Sequence, residues 1–254
     1  MDDLKDKACL VTGASRGIGA AVARGLGACG ARVAVHYNTA RAEAEAVAAD
    51  IARLGGKAVV LKGDVTDPAV PERLVAETVK AFGRLDILIN NAGDQIVRKT
   101  IVETDDALIE RHIAVNIRSV VAATRGAVRQ FKAQGGGGSI VNVTSIAART
   151  GGGGGSSIYA GTKGFVSTFT RAMAKEVVGD RVRVNAVSPG IIDTPLQHRV
   201  TPPAMLKTAV ATVPMGRLGT SEECVGAFLY LCSDKLSSYV TGQVVEVNGG
   251  IVMP

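Results

Sequence analysis

The sequence predicts one α/β domain across its 254 residues: a doubly wound parallel sheet of about seven strands with helices on both faces. Three observations carry that expectation. Short runs rich in Val, Ile and Leu are apolar throughout, as strands buried on both faces are. A stretch of helical periodicity separates each run from the next. A glycine-rich turn joins the first run to the first helix, and right-handed crossovers then wind the sheet outward in both directions.

The elements follow in order. "ACLVTG" is the first strand and "GIGAAVARGLGACG" the first helix. "ARVAVHY" is the second strand, and the amphipathic "ARAEAEAVAADIARLG" is a helix ended by Gly55 and Gly56. "KAVVLKGDV" is the third strand, and Asp67 is the expected N-cap of the helix in "PAVPERLVAETVKAFG". "LDILINNAG" is the fourth. A long helical stretch from about Asp105 to Gln134 is expected to bend or break near Ala114. "GSIVNVTS" is the fifth strand, followed by a helix running to about Val178. "RVRVNAVSPG" is the sixth, "SEECVGAFLYLCSD" a helix and "GQVVEVNGG" the last strand. No linker divides the chain, so 1–254 reads as one domain. The segment at about 191–218 holds Pro195, Pro202, Pro203 and Pro214; it reads as a lid on the substrate side or as a plain surface loop.

Composition narrows the class. With 46% hydrophobic and 20% charged residues the chain is of ordinary globular make-up. The net charge of +6 is scattered without a Lys/Arg block, which opposes a nucleic-acid partner and suits a phosphate-bearing ligand. Cys9, Cys29, Cys224 and Cys232 form no C-x-x-C and read as reduced thiols. "MDDLKDK" lacks the apolar region of a secretory signal, and no apolar run is long enough to span a bilayer. A cytoplasmic protein without membrane partner is expected. His36, His112 and His198 read as surface or internally satisfied, and no His/Cys/carboxylate constellation predicts a metal site.

Gly13, Gly17 and Gly19 in "VTGASRGIGAAV" form a G-x-x-x-G-x-G turn between strand and helix. Such a turn lets backbone approach a pyrophosphate, and the helix N-terminus favours the anion. A dinucleotide site is therefore expected. An NAD site commonly puts a carboxylate at the end of the second strand, about 20 residues beyond the glycines. Here that end reads His36, Tyr37, Asn38, Thr39, with Arg16 and Arg41 nearby. Guanidinium groups suit a 2′-phosphate, so NADP(H) is the predicted preference and NAD(H) the alternative. The bland reading leaves both arginines merely solvated.

Tyr159 and Lys163 stand four residues apart, one above the other on a helix face. Alone they are an ordinary Tyr–Lys pair. In a cleft, an ammonium beside a phenol lowers its pKa from near 10 and lets it exchange protons with a carbonyl oxygen.

Taken together, "TGASRGIG" at 12–19, "NNAG" at 90–93, Asn116, Ser145, "YAGTK" at 159–163 and "PGIIDT" at 189–194 resemble the short-chain dehydrogenase/reductase family. The likeness is to bacterial members such as 3-oxoacyl-carrier-protein reductases and glucose 1-dehydrogenases. It implies a Rossmann-type fold and a catalytic tetrad of Asn116, Ser145, Tyr159 and Lys163. Ser145 would hold the substrate oxygen, Lys163 the nicotinamide ribose, and Asn116, at the helix bend, a proton-relaying water. It implies cofactor contacts from Gly13, Ser15, Arg16, Gly17, Ile18 and Gly19, and from Tyr37 and Asn38. Asp64 and Val65 would meet the adenine, and Asn90, Ala92 and Gly93 the adjoining ribose. Tyr159 and Lys163 also touch the cofactor, as would Pro189, Gly190, Ile192 and Thr194. Ser145 and Tyr159 lie 14 positions apart, one more than is usual in the family, and Thr144, Ser156 and Ser157 are rivals for the serine role. The family also implies a homotetramer, with contacts from the apolar "CVGAFLYLC" helix and last strand.

The expected activity is NADP(H)-dependent hydride transfer between nicotinamide and a ketone or secondary alcohol, as in a 3-oxoacyl-carrier-protein reductase, on a small or carrier-bound substrate. The alternatives are an NAD-dependent sugar or polyol dehydrogenase and a nucleotide sensor without chemistry. Phe82, Ile96, Leu196 and Met205 do not define a substrate pocket from sequence.

Overall fold

The apolar runs become one all-parallel sheet in the computed structural model, which describes residues 1–253. Its strands are β1 (Ala8–Val11), β2 (Arg32–Tyr37), β3 (Lys57–Lys62), β4 (Ile87–Asn90), β5 (Gly138–Val143), β6 (Val182–Pro189) and β7 (Val244–Val247). Their order is β3-β2-β1-β4-β5-β6-β7. The winding direction therefore reverses between β1 and β4, and loops leaving their C-terminal ends diverge to open a crevice there.

Period-two alternation feeds two cores. Cys9, Val11, Val33, Val35, Ile87 and Ile89 face helices α1 (Gly17–Ala28), α2 (Arg41–Arg53) and α10 (Ser221–Cys232), through Leu26, Ile51 and Phe228. Leu10, Ala34, Leu88 and Ile140 face α3 (Val70–Phe82), α5 (Ser119–Gln134) and α7 (Ser157–Val177), through Leu74, Phe131 and Val177. Between α3 and α5 comes α4 (Asp106–Ile113), capped by Asp105, whose carboxylate accepts the Leu108 N–H at 2.7 Å.

The expected bend near Ala114 is a π-helical turn over Ala114–Arg118 that joins α4 to α5. Asn116 lies within it. Short α6 (Ala147–Thr150) precedes α7, α8 (Pro195–Val200) and α9 (Pro203–Val210) occupy the proline-rich segment, and α11 (Asp234–Ser237) follows α10.

Three boundaries differ from expectation. The third strand stops at Lys62 and the fourth at Asn90, because Asp64 to Thr66 and Asn91 to Gly93 peel away to line the crevice. The last strand covers only Val244–Val247. Asp67 does not cap α3, whose N-cap is Ala69; the Asp67 carboxylate instead accepts the Ala69 N–H at 2.9 Å in a turn before the helix. All four cysteines are free thiols. Among the described residues no helix is long and apolar enough to cross a membrane.

Candidate active site

The glycine turn after β1 is built as a cradle. Gly13 and Gly17 take φ of +64° and +55°, which side chains rarely tolerate. A Cβ on Gly19 would fall 2.4 Å from both the Gly13 carbonyl oxygen and Asn91 Nδ2. Arg16 is the N-cap of α1, but its side chain makes no capping bond, so the first helical N–H groups stay open to a ligand. The loop is fixed from both sides. Asn91 Nδ2 donates to the carbonyls of Thr12 and Gly13, each at 2.9 Å. Thr12 Oγ1 accepts the Asn91 and Ala92 N–H groups at 3.0 Å. His36 Nδ1 accepts the Gly13 N–H at 2.9 Å while Nε2 faces the Gly63 carbonyl at 3.0 Å, which assigns the proton to Nε2. Burial keeps this ring's pKa below the ordinary histidine value and so holds it neutral. Open amides, absent side chains and a fixed backbone fit a pyrophosphate.

One cleft of about 1510 Å³ runs from this cradle to α7. Every residue predicted for the site lines it except Tyr37, Asn90 and Asn116. Tyr37 is 6% exposed and packs in the core beside α2, so it does not reach the cleft as predicted; Asn38, predicted with it, does, and so does Thr39. Asn90 points into the sheet, donating to Thr124 Oγ1 at 3.1 Å and Asn142 Oδ1 at 2.8 Å; the lining residue is Asn91. Asp64 does line the cleft, its carboxylate accepting the Thr66 N–H at 2.9 Å and hydroxyl at 2.8 Å. The Thr66 amide holds that carboxyl below its usual range.

At the other end Ser145, Tyr159 and Lys163 converge. Ser145 follows β5 and accepts the Ala147 N–H at 3.1 Å. Its rivals are otherwise engaged. Thr144 Oγ1 donates to the Lys163 carbonyl at 2.8 Å, Ser156 Oγ accepts from Gln95 Nε2 at 2.8 Å, and Ser157 does not reach the cleft. Lys163 is buried and donates from Nζ to the Val143 carbonyl at 2.9 Å. Asn116 lies behind the cleft, wholly buried. Its Oδ1 accepts the Asp94 N–H at 2.9 Å and its Nδ2 donates to the Asp94 carbonyl at 2.8 Å. A Cβ on Gly93 would sit 2.9 Å from both Asn116 Oδ1 and Lys163 Nζ, so a glycine is needed for these groups to meet.

The electrostatics differ from the sequence expectation. Burial pushes the Tyr159 phenol above its ordinary pKa, against opposing pulls from Ser145 and the Arg98 charge. Lys163 does not acidify it here: Nζ stands 5.8 Å from the ring centre, and burial brings the amine itself down to about 8. The i, i+4 spacing places both groups in one site but leaves the cation turned to the β5 carbonyl.

The proline-rich segment covers the substrate end, where Leu196 and Met205 join Ile96 as apolar lining; Phe82 lies elsewhere, under Arg32. Thr194 caps α8, accepting the Gln197 N–H at 3.2 Å, and lies over Gly17. Two arginines strap the segment to the loop after β4. Arg199 binds the Asp94 carboxylate and the Ile96 carbonyl, the latter at 3.0 Å, and Arg98 donates to the Val200 carbonyl at 2.9 Å. Between them Ile96 sits at φ +53°, unusual for a β-branched residue, with its N–H held by Asp94 Oδ1 at 2.9 Å. Sequence reasoning missed Asp94, Arg98 and Arg199, and gave Asn91 and His36 no site role. The doubled "NN" of "NNAG" is the one local signal that pointed near any of them.

A pyrophosphate cradle at the switch point, joined by one cleft to a Ser–Tyr–Lys set, defines a nicotinamide-dinucleotide oxidoreductase. Residues 13–252 match the family described as enoyl-(acyl carrier protein) reductase. The chain is 36% identical over 256 residues to the 3-oxoacyl-[acyl-carrier-protein] reductase of Synechocystis sp., covering 100% of both. It is 36% identical over 249 residues to the L-rhamnose 1-dehydrogenase (NAD(P)(+)) of Sphingomonas sp., covering 98% of this chain and 97% of that one. The crystal structure of the NADH-dependent reductase A1-R′, responsible for alginate metabolism, superposes with a TM-score of 0.92 at 34% identity over 100% of both chains. The protein belongs to the short-chain dehydrogenase/reductase family and is an NAD(P)-dependent oxidoreductase.

Proposed function

We propose that the protein is a carbonyl reductase that prefers NADPH and reduces a ketone to a secondary alcohol, in the manner of 3-oxoacyl-carrier-protein reductases. The reductive direction is supported by the Tyr159 phenol, which burial raises above its ordinary pKa. A reduction needs that acid ready at neutral pH; an oxidation needs the phenolate. A dinucleotide held by the Gly13–Gly19 cradle would supply, in its reduced form, the hydride for the carbonyl carbon. Ser145 donates a hydrogen bond to the carbonyl oxygen, and Tyr159 gives that oxygen its proton as negative charge builds on it. Lys163, held on the Val143 carbonyl beside the site, would hold the nicotinamide ribose, and Asn116 fixes the Asp94 loop next to it. A panel of ketones and alcohols assayed with both cofactors at neutral pH tests the reading. Alcohol oxidation with no ketone reduction would end it.

The NADPH preference is supported by Arg16, which lines the adenosine end of the cleft where Asn38 and Thr39, not a carboxylate, directly follow β2. Arg16 pairs with Glu43 and Arg41 with Glu45, both pairs exposed. Exposed pairs contribute about 0–1 kcal/mol, so a phosphate readily displaces such a carboxylate. Arg16→Ala is expected to raise the KM for NADPH about tenfold and to leave that for NADH nearly unchanged. A wild type at least as efficient with NADH would refute the preference. It would favour the second reading, an NAD-dependent sugar or polyol dehydrogenase, which draws on the Glu43 carboxylate beside that site and on the rhamnose dehydrogenase relative.

We also propose a homotetramer working in the cytoplasm on a small or carrier-bound substrate. Phe165, 40% exposed on α7 and stacked on Phe169, and Tyr230, 37% exposed on α10, are apolar surface that such contacts would cover. Sedimentation at micromolar concentration is expected to return four chains, and a monomer there ends the proposal.

A further inference from the structure

Five arginines line the cleft: Arg16, Arg98, Arg111, Arg118 and Arg199. Arg16, Arg118 and Arg199 are paired with Glu43, Glu110 and Asp94. Arg111 is exposed and bathed in solvent. Arg98 alone is drawn into the cleft wall with neutral partners only. Nε donates to the Val200 carbonyl at 2.9 Å. Nη1 donates to the Gly154 carbonyl at 3.3 Å and to Ser156 Oγ, and Nη2 to Thr201 Oγ1 at 3.2 Å. A guanidinium has five N–H donors, so one on Nη2 is left over. No carboxylate touches it among the described residues. Withdrawing a cation from water without a counter-charge costs free energy, and a protein that accepts the cost gains when an anion arrives.

The position is suited to that arrival. Arg98 shares the substrate end of the cleft with Tyr159, close enough for its charge to bear on the phenol, and lies under the segment that closes the site. Ser156 and Thr201 present hydroxyls that now accept from the guanidinium and can rotate to donate to an incoming oxygen.

We propose that Arg98 is the anion receptor of the substrate site, and that the ketone reduced here carries a carboxylate which pairs with this guanidinium while its carbonyl oxygen meets Ser145 and Tyr159. This rests on the reductase reading and narrows it: the favoured substrate is a free keto acid, not a neutral thioester.

The test is a ladder of straight-chain keto acids with one to four carbons between carbonyl and carboxylate, each beside its primary amide, and acetoacetyl-pantetheine as the thioester. Wild-type kcat/KM is expected to favour the best acid over its amide by about 10- to 100-fold, as a charge-assisted pair should. Arg98→Gln should bring that ratio toward one by raising KM for the acid, and Arg98→Lys should restore part of it. If Arg98 merely straps the lid, both variants lower acid and amide by the same factor and the ratio stands, which overturns the proposal. A wild type indifferent to the charge, or one that prefers the thioester, overturns it too while leaving the reductase intact. Failure to reduce any ketone with either cofactor removes the reductase reading, and the inference falls with it.

Discussion

Tyr159→Phe is expected to lower ketone reduction by about 10²–10⁴-fold, the usual worth of a positioned proton donor. The substitution removes one oxygen and keeps the ring, so α7 and the cleft wall should be undisturbed. Nucleotide affinity, read from the fluorescence of bound NADPH, should change by less than about threefold, because the cradle around Gly13 to Gly19 lies at the other end of the cleft. The pH profile gives a second check. With the phenol raised by burial, wild-type alcohol oxidation should climb through the alkaline range as the phenolate forms, and reduction should decline there. The Phe variant should lose both limbs. A variant that keeps a tenth of wild-type turnover would assign the proton to another group.

Lys163→Met is expected to stabilise the cofactor-free protein while abolishing its activity. Burial has brought the amine from 10.5 to about 8, and the folded state bears that desolvation cost whenever the amine is charged. At about 1.4 kcal/mol per pKa unit the ceiling is about 3.5 kcal/mol. Losing the hydrogen bond to the Val143 carbonyl returns about 1 kcal/mol of it. The net of about 2.5 kcal/mol should raise Tm by about 5–10 °C at neutral pH. The sign follows from proton counts. Below pH 8 both folded and unfolded amines are charged, and the cost is present in full. Between about 8 and 10.5 the folded amine is neutral while the unfolded one still binds a proton, so wild-type stability rises with pH and the Met advantage shrinks. Thermal unfolding at several pH values measures this. A Met variant less stable than wild type at pH 7 would show that the amine's contacts outweigh its desolvation.

Much of the site was legible because its logic is local. The glycine turn depends on residues within one loop, and the Tyr159–Lys163 pair on the rise of one helix. Both therefore appear as spacing in the sequence. The two strand-end errors, Tyr37 added beside Asn38 and Asn90 taken for Asn91, have one cause. Side chains alternate along a strand, and a stretch of residues does not say which parity faces the crevice once the strand ends. The phenol's raised pKa was hidden for a different reason. It depends on how much protein surrounds the ring, whereas i, i+4 spacing reports only that a cation is near. Arg98 and Arg199 were invisible because their partners, Val200 and Asp94, lie about a hundred positions away along the chain. No periodicity encodes such a meeting.

The strapped segment between β6 and α10 carries a consequence for descent. Residues that bind the dinucleotide and move the proton come from strand ends and α7, whose places the sheet dictates. Leu196, Val200 and Met205 come from two short helices, and Thr201 from the link between them, none of which contributes to either core. Selection can therefore rewrite what is accepted without disturbing how it is transformed. Homologues that differ across 196–212 while keeping the strand ends and α7 are expected to accept different substrates and to transform them alike.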